Sequence, residues 1–369
     1  MTDWLTQEDS QFLKILRAVA IFVIVFGHVG GGWIYPPWSQ FLNVSVPIFF
    51  FISGAVSYNS YLKKNSVAHY LCKRIIGLIV PYYCICIFSI FIFLFQHAEF
   101  PNFDIHHLIQ WITVGPSNRI MPFPLGQVWF LHVLIIINLF SPVFFYFYYK
   151  NRIIYILILC LSLFLSSIPI ISNFVPEFIA NKLVLFQPVV GFLPAIHMLF
   201  FCLGFYVFDN VKIITNKFSI MVILISISVS ILFVRLLGMD INYANHGSPP
   251  DTYYVIIGVG SIFFFVLIRK NILLYYNASP KYFRSIVDFF FKHTFSIFLL
   301  HTFGIFFVEK VFGVVDPPEK TIFYGVTKFI LVLLVTLSMA PVFTKLTNTI
   351  SNKLSMHLMP RIISWNSKD

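Results

Sequence analysis

The chain has 369 residues, of which 59% are hydrophobic, 19% aromatic and 11% charged, with a mean hydropathy of +0.86. A soluble protein of this size could not hide so much apolar surface, and apolar runs near 20 residues exclude a transmembrane β-barrel, whose strands alternate over about 10. The formal net charge of +11 points to membrane orientation, because the basic residues sit in short loops between apolar runs and no nucleic-acid-binding motif accompanies them.

The fold class is therefore an all-α polytopic membrane protein. About ten transmembrane helices are expected, at 12–34, 41–60, 75–95, 128–148, 152–172, 188–208, 213–237, 252–268, 286–308 and 322–344. One integral-membrane domain spans 1–369, with its bundle over roughly 12–345 and short cytoplasmic tails. The start, MTDWLTQEDSQFLKILR, is acidic and polar and leads to no small-residue cleavage site, so the first segment is expected to remain in the mature protein. With the N-terminus in the cytoplasm, 19 of the 25 Lys and Arg fall on inner segments and 6 on outer ones (Arg119, Lys182, Arg235, Lys310, Lys320 and Lys328). An even number of spans then returns the C-terminus to the cytoplasm. The polar gap at 97–127 reads as a re-entrant or interfacial loop. The five cysteines lie in or beside the apolar runs and suggest no disulfide framework.

Five stretches carry polar residues where lipid makes them costly. In LRAVAIFVIVFGHVGGG, Arg17 and His28 are eleven residues apart. Eleven steps turn a helix about 20° past three full turns and climb about 16 Å, so both residues share a face without touching. In SVPIFFFISGAVS, Pro47 and the Ser53-Gly54 pair suit a bend or a close helix approach. CKRIIGLIVPYY places Lys73 and Arg74 at the mouth of the third helix, where a basic pair sets topology or clamps a phosphate. GQVWFLHVLIIINLFSPV places Trp129 in an interfacial aromatic belt, with His132 one turn deeper and Asn138 mid-helix. HTFSIFLLHTFGIF places His301 among apolar neighbours. His197 is a further intramembrane histidine. His106 and His107 lack a third ligand, and no metal site is expected.

In this order the five stretches resemble the acyltransferase-3 family of bacterial membrane acyltransferases, over almost the whole chain. The most specific element is an Arg, ten intervening residues and a His, matched by Arg17 and His28. The Phe-Phe-x-x-Ser-Gly element is matched in loosened form by Phe50 to Gly54, or by Phe49 and Phe50 with a one-residue shift. Trp129, Phe130 and Leu131 match the start of helix 4, and Ser296 to His301 match the late Ser-Ile-(aromatic)-Leu-Leu-His element. Two positions depart. Gly77 stands where many members carry a second arginine after the helix-3 mouth, and His132 stands in the region where some carry a glutamate. The chain ends soon after helix 10, so the hydrolase-like domain fused to some members is not expected.

The resemblance implies an O-acyltransferase of the bacterial cytoplasmic (inner) membrane. It would move an acyl group, acetyl first among the candidates, from cytosolic acyl-CoA to a hydroxyl of an envelope glycan such as O-antigen, or to its lipid-linked precursor. Acetyl-CoA would be a co-substrate and no cofactor would be tightly bound. The partners would be the glycan acceptor, the bilayer and polysaccharide-assembly proteins, not nucleic acid. Arg17, Lys73 and Arg74 would hold the phosphates of acyl-CoA. His28 would serve as general base or transient acyl carrier. His301 would position the acceptor or polarise the carbonyl, near Trp129 and His132, with Ser53 in a substrate-side or structural role. No carboxylate in the spans near His28 offers itself as an orienting partner. The alternative readings are a transporter or flippase of glycans or lipid-linked sugars, and an inactive subunit lending its channel to a partner.

Overall fold

The computed structural model describes residues 4–29, 42–63, 66–97, 105–114, 128–171, 194–247, 250–314 and 321–366. The described residues are almost wholly α-helical, with one named 3-10 turn at Tyr243–His246, and no β-strand occurs among them. The α-helices are α1 (Gln7–Val29), α2 (Ser45–Leu62), α3 (Val67–His97), α4 (Ile105–Ile112), α5 (Val128–Lys150), α6 (Arg152–Ile171), α7 (Ala195–Asp209), α8 (Asn216–Leu236), α9 (Thr252–Leu267), α10 (Arg269–Ala278), α11 (Lys281–Val311) and α12 (Ile322–Asn366). Among the described residues, seven helices are long and apolar enough to cross a bilayer, and α9 with α10 makes an eighth candidate, bent by 53°. Each of the ten expected segments carries a helix. The edges expected at 30–34, 41, 172 and 188–193 lie outside the described residues.

Local chemistry sets the helix starts. Thr6 and Asp9 form a capping box at α1: the Asp9 amide donates to Thr6 Oγ1 at 3.1 Å, and the Thr6 amide donates to Asp9 Oδ2 at 3.1 Å. Thr215 and Asp251 accept from amides three residues ahead and so cap α8 and α9. Two boundaries differ from the expectation. The third helix begins at Val67 rather than near 75, so Lys73 and Arg74 stand inside a continuous helix. The last helix runs on to Asn366 rather than ending near 344. At 1.5 Å per residue its 45 residues extend about 68 Å, more than twice the roughly 30 Å hydrocarbon core. Hydropathy marked where the apolar run stops. The helix itself does not stop there and runs on through Pro341 and Pro360.

The described residues form two compact units. The first comprises 4–24, 42–63, 140–171, 194–247 and 250–291. Its centre is the crossing of α2 and α7, where two glycines remove the side chains that would keep the backbones apart. A Cβ on Gly54 would lie 1.8 Å from the Phe201 carbonyl oxygen, and one on Gly204 would lie 2.0 Å from that of Phe51. Around this crossing pack the buried rings of Phe145, Phe201 and Phe205 with Tyr58. Polar ties close the ends. Arg269 pairs with the buried Asp9 at 2.7 Å, Lys14 pairs with Asp288, and Tyr148 donates to Asp209 at 2.6 Å.

The second unit comprises 25–29, 66–97, 105–114, 128–139, 292–314 and 321–366. Here α12 packs along α3, and Phe88 stacks edge-on against Phe303, and Phe26 against Phe329. Lys328, counted above among outer-segment charges, is 2% exposed and pairs with Glu309 at 2.6 Å. The short α4 lies in the expected loop region. Tyr82 and Tyr83 of α3 donate to its final carbonyls, on Trp111 at 2.8 Å and Ile112 at 2.5 Å. Its exposed Ile105, Leu108, Ile109 and Ile112 recur at helical spacing, the pattern of an interfacial helix.

Candidate functional site

The second unit brings His28 of α1 against His301 of α11. Their rings are nearly parallel, 15° apart, with centroids separated by 5.0 Å. His301 Nε2 lies 3.1 Å from His28 Nδ1. On its far side, His301 Nδ1 lies 2.7 Å from the Phe298 carbonyl oxygen. His301 has no exposed surface, whereas His28 is exposed.

These contacts fix the tautomers of the neutral pair. A carbonyl oxygen only accepts, so His301 Nδ1 carries the hydrogen and its Nε2 is left as a lone pair. That lone pair accepts from His28 Nδ1–H. The remaining nitrogen of His28, Nε2, then bears no hydrogen and is available as base or nucleophile. A side chain held by a second one that is itself oriented by a third group can serve as an oriented base or nucleophile. The orienting partner that no carboxylate could supply is an imidazole from 273 residues along the chain. His301 thus stands behind His28.

The basic residues divide between the units. Arg17 belongs to the first, with its guanidinium 5.8 Å from the centroid of the Phe291 ring. It lies on the same unbroken helix as His28, about 16 Å along the axis. Lys73 and Arg74 belong to the second unit. Lys73 is exposed. Arg74 differs: its Nε and Nη2 are shielded from solvent with no hydrogen-bond partner among the described residues, and its guanidinium sits 6.0 Å from the Tyr70 ring. Shielded N–H groups of a half-buried cation with unmade hydrogen bonds are costly and suit an anionic ligand. One turn on, a Cβ at Gly77 would meet nothing within 4 Å, so no packing demand accounts for glycine there.

Other expected residues take structural positions. His132 Nδ1–H donates to the Val114 carbonyl at 2.7 Å. Val114 has φ of 55°, a left-handed conformation unfavourable for a β-branched residue, so His132 holds a strained carbonyl in place. Trp129 is half-buried in the first turn of α5. Ser53 is half-buried in α2 beside Gly54, whose missing side chain the α2–α7 crossing requires. His197 packs 4.7 Å from the Phe50 ring in the aromatic core of the first unit. The side chains of His106 and His107 lie outside the described residues.

One cluster went unmarked. Thr344 of α12 donates to the Ala340 carbonyl at 2.8 Å, so its oxygen accepts from Ser296 at 2.6 Å and from His293 Nδ1 at 2.8 Å. Ser296, part of the late sequence element, is therefore a clip between α11 and α12. Its spacing from His293 put both on one face of α11. Nothing in the sequence singled out Thr344. Among the described residues, no three His, Cys, Asp or Glu side chains converge as a metal site.

Comparison with known proteins gives one match. The acyltransferase-3 family model, described as an acyltransferase domain, matches residues 10–342. No curated protein matches, and no solved structure does.

Proposed function

Given that the chain belongs to the acyltransferase-3 family of membrane acyltransferases, we propose that it transfers an acyl group, acetyl first, from acyl-CoA to a hydroxyl of a cell-envelope glycan or its lipid-linked precursor, in the bacterial cytoplasmic membrane. The observation that carries the reading is the lone pair left on His28 Nε2 by the Phe298–His301–His28 chain.

In the proposed step, His28 Nε2 takes the proton of the acceptor hydroxyl as its oxygen attacks the thioester carbonyl carbon. The new C–O bond forms, the C–S bond breaks, and the departing thiolate recovers the proton from the imidazolium. His301 Nε2 accepts from His28 Nδ1–H throughout, which holds the ring and stabilises the charge on it. In the proposed donor site, Arg74 offers unpaired N–H groups to the phosphates of CoA. Arg17, about 16 Å from His28 along α1, is separated from it by the length of an extended acyl-carrying arm. Lys73, being exposed, adds a screened charge. Both termini lie in the cytoplasm in this reading. The transporter alternative yields to membership of an acyltransferase family over residues 10–342.

The test is acyl transfer by the purified protein from labelled acetyl-CoA to envelope glycan, with mass spectrometry of the glycan in cells carrying His28→Ala. Loss of glycan acetylation at unchanged protein level is expected. Retained acetylation would remove His28 from the reaction.

A further inference from the structure

The first unit contains a groove between α8 and α9 with a volume of about 820 Å³. Two adjacent ridges of α8 line it: Ile223, Ile227, Ile231 and Arg235 at four-residue spacing, and beside them Ser226, Ser230 and Val234. The opposite wall is α9, with Ile257, Gly260 and Phe264. The lining is hydrocarbon except for a few hydroxyls and the guanidinium at one end. Only 11% of the apolar window of α8 is buried, and Ile227 and Ile231 are 52% and 55% exposed. The groove thus opens toward the surroundings of α8, which for a spanning helix is the bilayer.

Its dimensions match one lipid of one leaflet. From Ile223 to Arg235 the helix climbs about 18 Å, close to half of a hydrocarbon core of about 30 Å plus the headgroup edge. The polar atoms are spaced for a headgroup as well. Arg235 is exposed at the end of α8 and forms no ion pair among the described residues. Ser230 Oγ is shielded from solvent without a hydrogen-bond partner. It lies five residues, about 7.5 Å, deeper than Arg235, where the ester carbonyls of a glycerophospholipid sit below its phosphate. A polyprenyl phosphate has no ester there for a hydroxyl to donate to.

We propose that the α8–α9 groove is a binding site for one anionic glycerophospholipid, with its phosphate on Arg235, an ester carbonyl accepting from Ser230, and an acyl chain along Ile231 and Ile227. This site is independent of the acyl-transfer reading. The experiment uses the full chain in nanodiscs containing phosphatidylglycerol, released into mild detergent and weighed by native mass spectrometry. The parent should retain one phosphatidylglycerol. Ile231→Trp, a filling change at a half-exposed position, should abolish retention without lowering the melting temperature. Arg235→Gln should weaken it about tenfold. Ser230→Ala should weaken it about threefold to tenfold for the ester lipid and leave a diether analogue unchanged. Equal retention by parent and Ile231→Trp would overturn the site. Retention that ignores Arg235, or preference for a polyprenyl phosphate over phosphatidylglycerol, would overturn the assignment of the occupant.

Discussion

Replacing His301 tests the proposed catalytic chain most directly. His301→Ala removes the acceptor that holds His28 Nδ1–H at 3.1 Å. Leaving that donor unpaired costs about 1–3 kcal/mol, and the ring can escape the cost by moving its hydrogen to Nε2, where the reaction needs a lone pair. At about 1.4 kcal/mol per factor of ten, kcat should fall roughly 10- to 100-fold. KM for the acyl donor should stay within about twofold, because His301 is fully buried behind His28 and touches no donor in this scheme. His301→Gln keeps most of the volume and offers an amide oxygen in place of Nε2, so it should recover part of the loss. The assay is steady-state transfer from acetyl-CoA to a soluble glycan acceptor, with melting temperature measured in parallel. Unchanged kcat in His301→Ala would refute the relay. A raised KM with unchanged kcat would return His301 to substrate binding.

Three further outcomes follow from the geometry. Arg74→Gln should raise KM for acetyl-CoA about 10- to 100-fold, the worth of a charge-assisted hydrogen bond, while Lys73→Gln at its exposed position should change it less than about threefold; equal effects would show that charge alone matters. Gly54→Ala and Gly204→Ala each drive a Cβ into a backbone carbonyl, at 1.8 and 2.0 Å, and should cost more than the 1–3 kcal/mol of ordinary overpacking; wild-type melting temperatures in detergent would mean that the helices do not cross there. The third concerns His246, in the 3-10 turn before α9. It donates from Nδ1 to Asp251 at 2.6 Å and from Nε2 to the Asp240 carbonyl at 2.7 Å, so both nitrogens carry hydrogens. Burial alone would lower its pKa, but the hydrogen bond and charge of Asp251 outweigh it and raise the pKa above 6.5. Since the folded pKa is the higher, this stabilisation is complete below about pH 6.5 and is lost as pH rises through the folded value. Thermal stability should decline between pH 6 and pH 8.5, measured by melting in buffers of equal ionic strength, and Asp251→Asn should flatten that decline. An identical slope in the variant would assign the pH dependence to other groups.

The sequence by itself determined the class and the helices, because burying twenty apolar residues at a time in lipid leaves a backbone no option but internal hydrogen bonding. It also determined that Arg17 and His28 share one face, since the pitch of a helix needs no tertiary contact. Helix ends were less legible: hydropathy marks where lipid stops, and α3 and α12 run past that limit. The role of Gly54 was visible as a small residue, while its partner Gly204 needed the crossing of α2 and α7 to be seen. Only the tertiary structure decided what orients His28. The partner is 273 residues away, and its tautomer depends on a backbone carbonyl that carries no sequence signal at all. Likewise, two adjacent basic residues read alike in the sequence. Packing exposed Lys73 and shielded Nε and Nη2 of the half-buried Arg74, and those shielded N–H groups are what make the second a demanding site for an anion.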